Sequence, residues 1–152
     1  MDAAFGPVQR TCCWCRGPFW ARKPSDVCCS VGCIEEVAQQ VEALRIARET
    51  FHAVQEQVHA LHEAVDSVHR RIARQVAKLQ RLGTGWRNAR SAEELGNIEE
   101  RENLTALTLE RLNREFERRY IRALRTEKRL RSLEIEVATL KELIEDIASH
   151  DG

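Results

Sequence analysis

Residues 37–82 read VAQQVEALRIARETFHAVQEQVHALHEAVDSVHRRIARQVAKLQRL, and the placing of apolar residues in this stretch decides the fold. Counting in sevens from Val37 gives Leu44, Phe51, Val58, Val65, Ile72 and Leu79, every one apolar. A second line, three residues on, holds Gln40, Ala47, Val54, Leu61, Val68, Gln75 and Leu82, five of them apolar. Lines spaced alternately three and four residues apart fall on one side of a helix, so the stretch predicts a coiled-coil helix. The pattern runs back unbroken to residue 34, a helix extending about 70 Å. Gln40 and Gln75 weaken the seam while fixing its alignment.

Gly83-Thr84-Gly85 predicts the end of that helix and a turn over residues 83–90, and Ser91 with Glu94 offers a capping box for the next helix. Over 91–149 one line carries Leu109, Phe116, Ala123, Leu130, Val137 and Ile144. The other carries Leu112, Arg119, Thr126, Leu133, Leu140 and Ile147, so ten of twelve seam positions are apolar. Gly96-Asn97 interrupts the pattern between Leu95 and Ile98 and predicts a frayed or kinked start.

Charge decides how two such helices pair. Residues 34–69 carry seven acids and two bases, and 70–90 carry seven bases and no acid. Residues 93–117 carry eight acids and three bases, 118–131 seven bases and one acid, and 132–152 six acids and one base. Folding back near residue 86 lays each block beside its opposite, whereas a parallel in-register dimer sets like blocks within about a Debye length of ~8 Å. An antiparallel intrachain hairpin is therefore expected. Arg122 with Glu127, Arg129 with Glu134 and Glu136 with Lys141 have the spacing of interchain pairs in a parallel coil, but each exposed pair contributes only ~0.2 to 1 kcal/mol. A two-helix hairpin buries a thin core, so further self-association into a homo-oligomer is expected.

The composition agrees with long solvated helices. Of 152 residues, 32% are charged and 5% aromatic, with 24 bases against 24 acids. That balance disfavours a thick core with a deep pocket and removes whole-chain attraction to nucleic acid or anionic membrane. No apolar run approaches the ~18 residues that span a bilayer, and Met1 to Val8 lack the shape of a signal peptide. A cytoplasmic, reducing location, no membrane association and a flexible N-terminus over 1–11 are expected.

All six cysteines, Cys12, Cys13, Cys15, Cys28, Cys29 and Cys33, fall within 22 residues. In a reducing compartment such clustering points to metal rather than disulfides. Cys12-x2-Cys15 and Cys29-x3-Cys33 form two short thiolate pairs, the layout that presents four sulfurs to one tetrahedral Zn2+. Ser30 is a natural N-cap that puts Cys33 in a first helical turn, and Gly17-Pro18 turns the chain after the first pair. Phe19, Trp20 and Val27 supply a small apolar cluster beside the ion.

Cys12-Cys13-Trp14-Cys15-Arg16-Gly17-Pro18-Phe19 followed by Cys29-Ser30-Val31-Gly32-Cys33 resembles the small treble-clef zinc fingers, with their CxxC, GxPF-like stretch and CSxxC opening a helix. That resemblance covers residues 12–36 and implies one structural zinc held by Cys12, Cys15, Cys29 and Cys33, with Cys13 or Cys28 able to substitute by a shift of one position. The family's basic residues after the last cysteine are replaced by Ile34, Glu35 and Glu36. At the level of layout, an N-terminal cysteine cluster followed by a coiled coil is similar to the small cysteine-rich proteins of hordei-, furo- and pecluviruses. That similarity implies suppression of RNA silencing, without their second, mid-chain Cys and His cluster.

The expected fold is thus all-α, a long antiparallel helical hairpin or coiled coil with a small N-terminal treble-clef-like zinc finger. The domains expected are the finger over 12–36, a first coiled-coil helix over 37–82 and a second over 91–149. Four thiolates leave no open coordination position, so neither an enzyme nor a small-molecule substrate is expected. Glu49-x2-His52, Glu56-x2-His59 and Asp66-x2-His69 lie off the seam and read as solvated decoration rather than metal ligands. His59 with His62, one turn apart, reads the same way. Arg70, Arg71, Arg74, Lys78, Arg81, Arg87 and Arg90 surround Trp86, an arginine-rich tip with one aromatic available to stack on a base. Glu93, Glu94, Glu99, Glu100 and Glu102 are expected to neutralise it within the chain. The function expected is that of a self-associating adaptor or scaffold holding a protein partner, with nucleic-acid binding through the tip as the alternative.

Overall fold

The computed structural model describes residues 6–149. Two short strands, β1 (Val8–Thr11) and β2 (Pro18–Ala21), precede two helices of 58 residues each, α1 (Val31–Asn88) and α2 (Ala92–Ser149). The two helices pack against each other as a hairpin, as the charge blocks predict. No described helix is long and apolar enough to cross a membrane.

The seam lies where the heptads put it. In α1 none of the fourteen seam positions from Val37 to Leu82 is exposed, the two glutamines included. In α2 all twelve positions from Leu109 to Ile147 are likewise buried or half-buried. Fully apolar rungs and the Arg119 and Thr126 rungs alike are held off the surface, because a long arginine can lay its stem along the seam while its head reaches water.

The chain divides into two compact units. Residues 54–129 form one, in which Val54 and Val68 of α1 and Leu112 and Ala123 of α2 are the buried apolar side chains. Thr105 is buried beside them and is satisfied, its hydroxyl donating to the Arg101 carbonyl at 2.7 Å. On one flank of this seam His62 Nε2 lies 2.5 Å from Glu127 Oε1, and on the other Arg71 Nη1 lies 3.5 Å from Glu115 Oε2. Phe116 stacks on Tyr120 and meets His69 edge-on. The other unit takes in 6–53 and 130–149, where Leu44 and Ala47 of α1 and Ile147 of α2 are buried.

Three expectations need correction. Gly83-Thr84-Gly85 does not end the first helix: α1 runs on to Asn88 and the connection shrinks to 89–91. The apolar spacing itself continues, Trp86 lying seven residues after Leu79 and Ala89 seven after Leu82, with Ala89 half-buried and Trp86 39% exposed, and the helix persists against a glycine penalty of about 1 kcal/mol each. At Gly85 an added Cβ would meet Ile98 Cδ1 at 3.4 Å, so the absent side chain admits a close approach of the two helices. Gly96-Asn97 does not break α2 either, which is continuous from Ala92. Leu95 and Ile98 are half-buried and fall on the seam lines carried backwards through Glu102 and Thr105, so the register never lapses. Finally, residues 8–11 of the expected flexible terminus form β1, held by pairing with β2, while residues 1–5 lie outside the described ones.

Candidate metal centre

Strands β1 and β2 pair antiparallel with Val8 opposite Ala21 and Thr11 opposite Pro18, which leaves Cys12–Gly17 as the turn between them. The Cys12 amide donates to the Gly17 carbonyl at 2.8 Å and the Arg16 amide to the Cys12 carbonyl at 3.1 Å. Closing so tight a loop puts Arg16 at φ 62°, the left-handed region that side chains disfavour. Gly17 follows, where a Cβ would touch Cys15 Sγ at 3.4 Å. The same turn that strains Arg16 thus turns the Cys12 and Cys15 sulfurs toward one site.

The second pair depends on the loop after β2. Asp26 carboxylate accepts the amides of Arg22 (2.8 Å) and Lys23 (2.9 Å), which hold its carboxyl below the ordinary value. Arg10 reaches across from β1 to the Pro24 carbonyl at 3.0 Å. The Cys13 amide donates to the Val27 carbonyl at 2.9 Å, clamping the loop onto the first turn. Ser30 Oγ then accepts the Cys33 amide at 3.2 Å as the N-cap of α1, so Cys33 faces the site from the first helical turn.

The sulfurs of Cys12, Cys15, Cys29 and Cys33 all lie within 4.8 Å of one another. Cys15 and Cys29 are 3.4 Å apart and Cys29 and Cys33 3.6 Å. A tetrahedral zinc with bonds of about 2.3 Å needs sulfur–sulfur edges of roughly 3.8 Å, so the four fit one such ion with small adjustments. They form the one group of three or more His, Cys, Asp or Glu side chains placed for a metal among the described residues. The Glu-x2-His pairs of α1 form no such group.

The electrostatics suit a soft cation. Cys12 is buried, which alone raises a thiol's pKa, but the Cys29 amide at 3.4 Å from its sulfur, the Cys15 and Trp14 amides and the Cys15 thiol bring it down to about 6. Cys29 is pushed up to about 12 by the sulfurs of Cys15, Cys33 and Cys12 crowding it. Cys12 is thus the sulfur held toward the thiolate form, while crowding by its neighbours holds Cys29 toward the thiol, whose proton a soft cation displaces on binding. Cys13 and Cys28 stand aside from the four and face each other, Sγ to Sγ 3.0 Å, with Cys28 pushed up to about 12 by burial and then by Cys13. Spacing left their part open, because adjacent cysteines are interchangeable in a sequence and only the turn geometry separates them.

One further contact of this unit was not legible. Arg16 Nη2 meets Asp146 Oδ2 of α2 at 2.6 Å, a pair 130 residues apart in the chain. Both side chains are well exposed, so the pair adds little energy.

The arginine-rich tip behaves differently from expectation. Arg70, Arg74, Lys78, Arg81, Arg87 and Arg90 are all exposed, Trp86 is 39% exposed, and Arg71 makes the pair with Glu115. Among the described residues no ion pair joins Glu93, Glu94, Glu99, Glu100 or Glu102 to any cation. Glu94 instead accepts the Arg90 amide at 2.8 Å while the Glu94 amide donates to Ser91 Oγ, a capping box that spends the acid on the helix start. Lys78, Arg81 and Arg101 line one shallow groove beside Leu82.

No family model, no curated protein and no solved structure matches the chain.

Proposed function

We propose that the protein is a non-enzymatic, cytoplasmic adaptor in which a treble-clef-like finger, folded on one structural zinc, is fused to a coiled-coil hairpin that self-associates and holds a protein partner. The observation that carries this reading is the contrast between a closed four-sulfur cluster and helices whose seam is filled while large apolar side chains stay outside it. Leu104, Leu107, Ile121 and Leu124 of α2 are each about half exposed or more, Leu107 at 62%. Trp20 on the finger is 65% exposed. Such side chains scattered on charged helices suit contact with other chains better than a reaction site.

Native mass spectrometry of the reduced protein tests both halves together. One zinc per chain and a population of multimers that grows with concentration is the expected result. Metal-replete protein without zinc overturns the finger, and a monomer at every concentration overturns self-association.

The exposed bases of the tip, which apart from Arg71 make no ion pair among the described residues, favour nucleic acid as the second reading, in keeping with the layout similar to that of viral silencing suppressors. Its test is RNA binding that weakens steeply with salt and is lost in Arg70→Glu/Arg71→Glu/Arg74→Glu. RNA affinity unchanged by those substitutions removes the tip from consideration.

A further inference from the structure

On α1, the positions opposite the seam hold Glu35, Glu42, Glu49, Glu56 and Glu63, one glutamate every seven residues and each exposed. On α2, the outward positions hold Arg111, Arg118 and Arg125, again every seven residues and each exposed. Both rows therefore repeat at about 10.5 Å along their helices. Each row points away from the seam its helix shares with the other, so the two cannot meet within one chain.

The rows are available for an outside partner to different degrees. Arg111, Arg118 and Arg125 have no ion-pair partner among the described residues, and neither have Glu35 and Glu56. Glu42 and Glu49 share Arg45, at 2.6 Å each, a pair of exposed contacts that a competing guanidinium can displace at little cost. Beside the arginine row stand the exposed Leu104, Leu107 and Ile121, and beside the glutamate row stand the exposed Ile46 and, further along, Ala53 and Ala60, whose small side chains let a second helix approach. Apolar residues interleaved with arginines are poorly matched to a phosphate backbone and well matched to a helix carrying carboxylates.

We propose that the outward face of α2 docks on the outward face of α1 of a second copy of this chain, Arg111, Arg118 and Arg125 meeting three consecutive glutamates of the other row. This rests on the self-association reading and names its surface. The contact is heterologous, since a different patch is used on each partner, so a docked pair still presents one free glutamate row and one free arginine row, and assembly adds copies in sequence rather than stopping at a two-fold dimer. The period match supplies register, because a slip of one rung keeps the signs paired while a slip of half a rung does not.

The test uses the zinc-loaded full chain and two charge-reversed variants, Arg111→Glu/Arg118→Glu/Arg125→Glu and Glu42→Lys/Glu49→Lys/Glu56→Lys, followed by sedimentation velocity. Circular dichroism and zinc stoichiometry equal to the parent's establish that both fold. The parent is expected to form species beyond dimers that dissociate as salt rises from about 0.05 to about 0.5 M. Each variant alone is expected to lose this association, and an equimolar mixture of the two to regain it, because every α1 row then has an α2 row of opposite sign. A parent that associates while both variants associate equally well overturns the docking and leaves self-association standing. Folded variants that are monomeric alone and remain so when mixed overturn the pairing of these rows. A parent that is monomeric throughout overturns both readings, and RNA binding lost in the arginine variant then assigns that face to nucleic acid instead.

Discussion

The finger and the hairpin reach stability by opposite routes. The hairpin repeats one weak unit, an apolar rung, over two helices of 58 residues, so no rung is decisive. The finger has Ala21 and Cys12 as fully enclosed side chains and otherwise depends on four sulfurs and a handful of backbone hydrogen bonds. Repetition gives graded failure, while a single coordination shell gives all-or-none failure.

The largest effect that separates the two follows from removing the metal. On the reading that the four sulfurs hold zinc, about 10 to 16 kcal/mol of apparent binding energy is coupled to folding of the residues around them. Chelation, or Cys29→Ser, is expected to unfold residues around the cluster, read as a change in fluorescence of Trp14 and Trp20, while the helical signal of α1 and α2 stays nearly intact. A loss of helix in proportion to the loss of zinc would show that the two regions fold as one.

The reverse experiment strikes the hairpin. Val68 is 1% exposed in the seam, and Val68→Asp buries a carboxylate with no partner, while Leu112→Ala opens a cavity costing about 2 to 5 kcal/mol. Both are expected to lower the thermal midpoint of the helical signal, Val68→Asp the more, with one zinc per chain retained. Zinc loss in these variants would mean that the finger depends on the seam.

The contrast was also present in how each region could be read. Heptads announce themselves by number, which is why the seam from Val37 to Leu82 and from Leu109 to Ile147 was legible down to single residues. The same repetition explains the error at Gly83-Thr84-Gly85, where local propensity argued for a turn and the unbroken lines through Trp86, Ala89, Leu95 and Ile98 prevailed. In the finger, the two thiolate pairs were legible from spacing, because ligand spacing is local. Strand β1 was not, since Val8 is the only apolar residue among its four and its pairing partner lies beyond the turn. The mutual approach of Cys13 and Cys28 depended on a backbone bond from Cys13 to Val27, which no spacing encodes.

A pH series sharpens the account of the site. In the metal-free finger Cys12 titrates at about 6, so above that pH it binds metal without losing a proton, and below it one proton must leave. Cys29, at about 12, gives up a proton throughout. Zinc affinity is therefore expected to fall as pH falls, and its slope against pH to steepen by about one proton on passing below pH 6, measured by competition with a chromophoric chelator. A constant slope from pH 5 to 8 would mean that the Cys29, Cys15 and Trp14 amides do not hold Cys12 as a thiolate.

The smallest effect tests whether the glycines of α1 are tolerated or needed. Gly83 lies inside the helix, and a Cβ built on it meets nothing within 4 Å, so Gly83→Ala removes unfolded-chain freedom without a clash. A gain of about 0.5 to 1 kcal/mol is expected from denaturant titration of the hairpin. Gly85 is the control two residues away, because its Cβ would come into contact with Ile98 Cδ1 at 3.4 Å, at the edge of ordinary packing distance, so a smaller gain than at Gly83 is expected there. Equal gains at both positions would show that Ile98 gives way freely and that the helices are not closely packed beside the connection. Stabilisation at Gly83 alone would establish that the seam reaches past the glycines to the end of α1, as its continuous register requires.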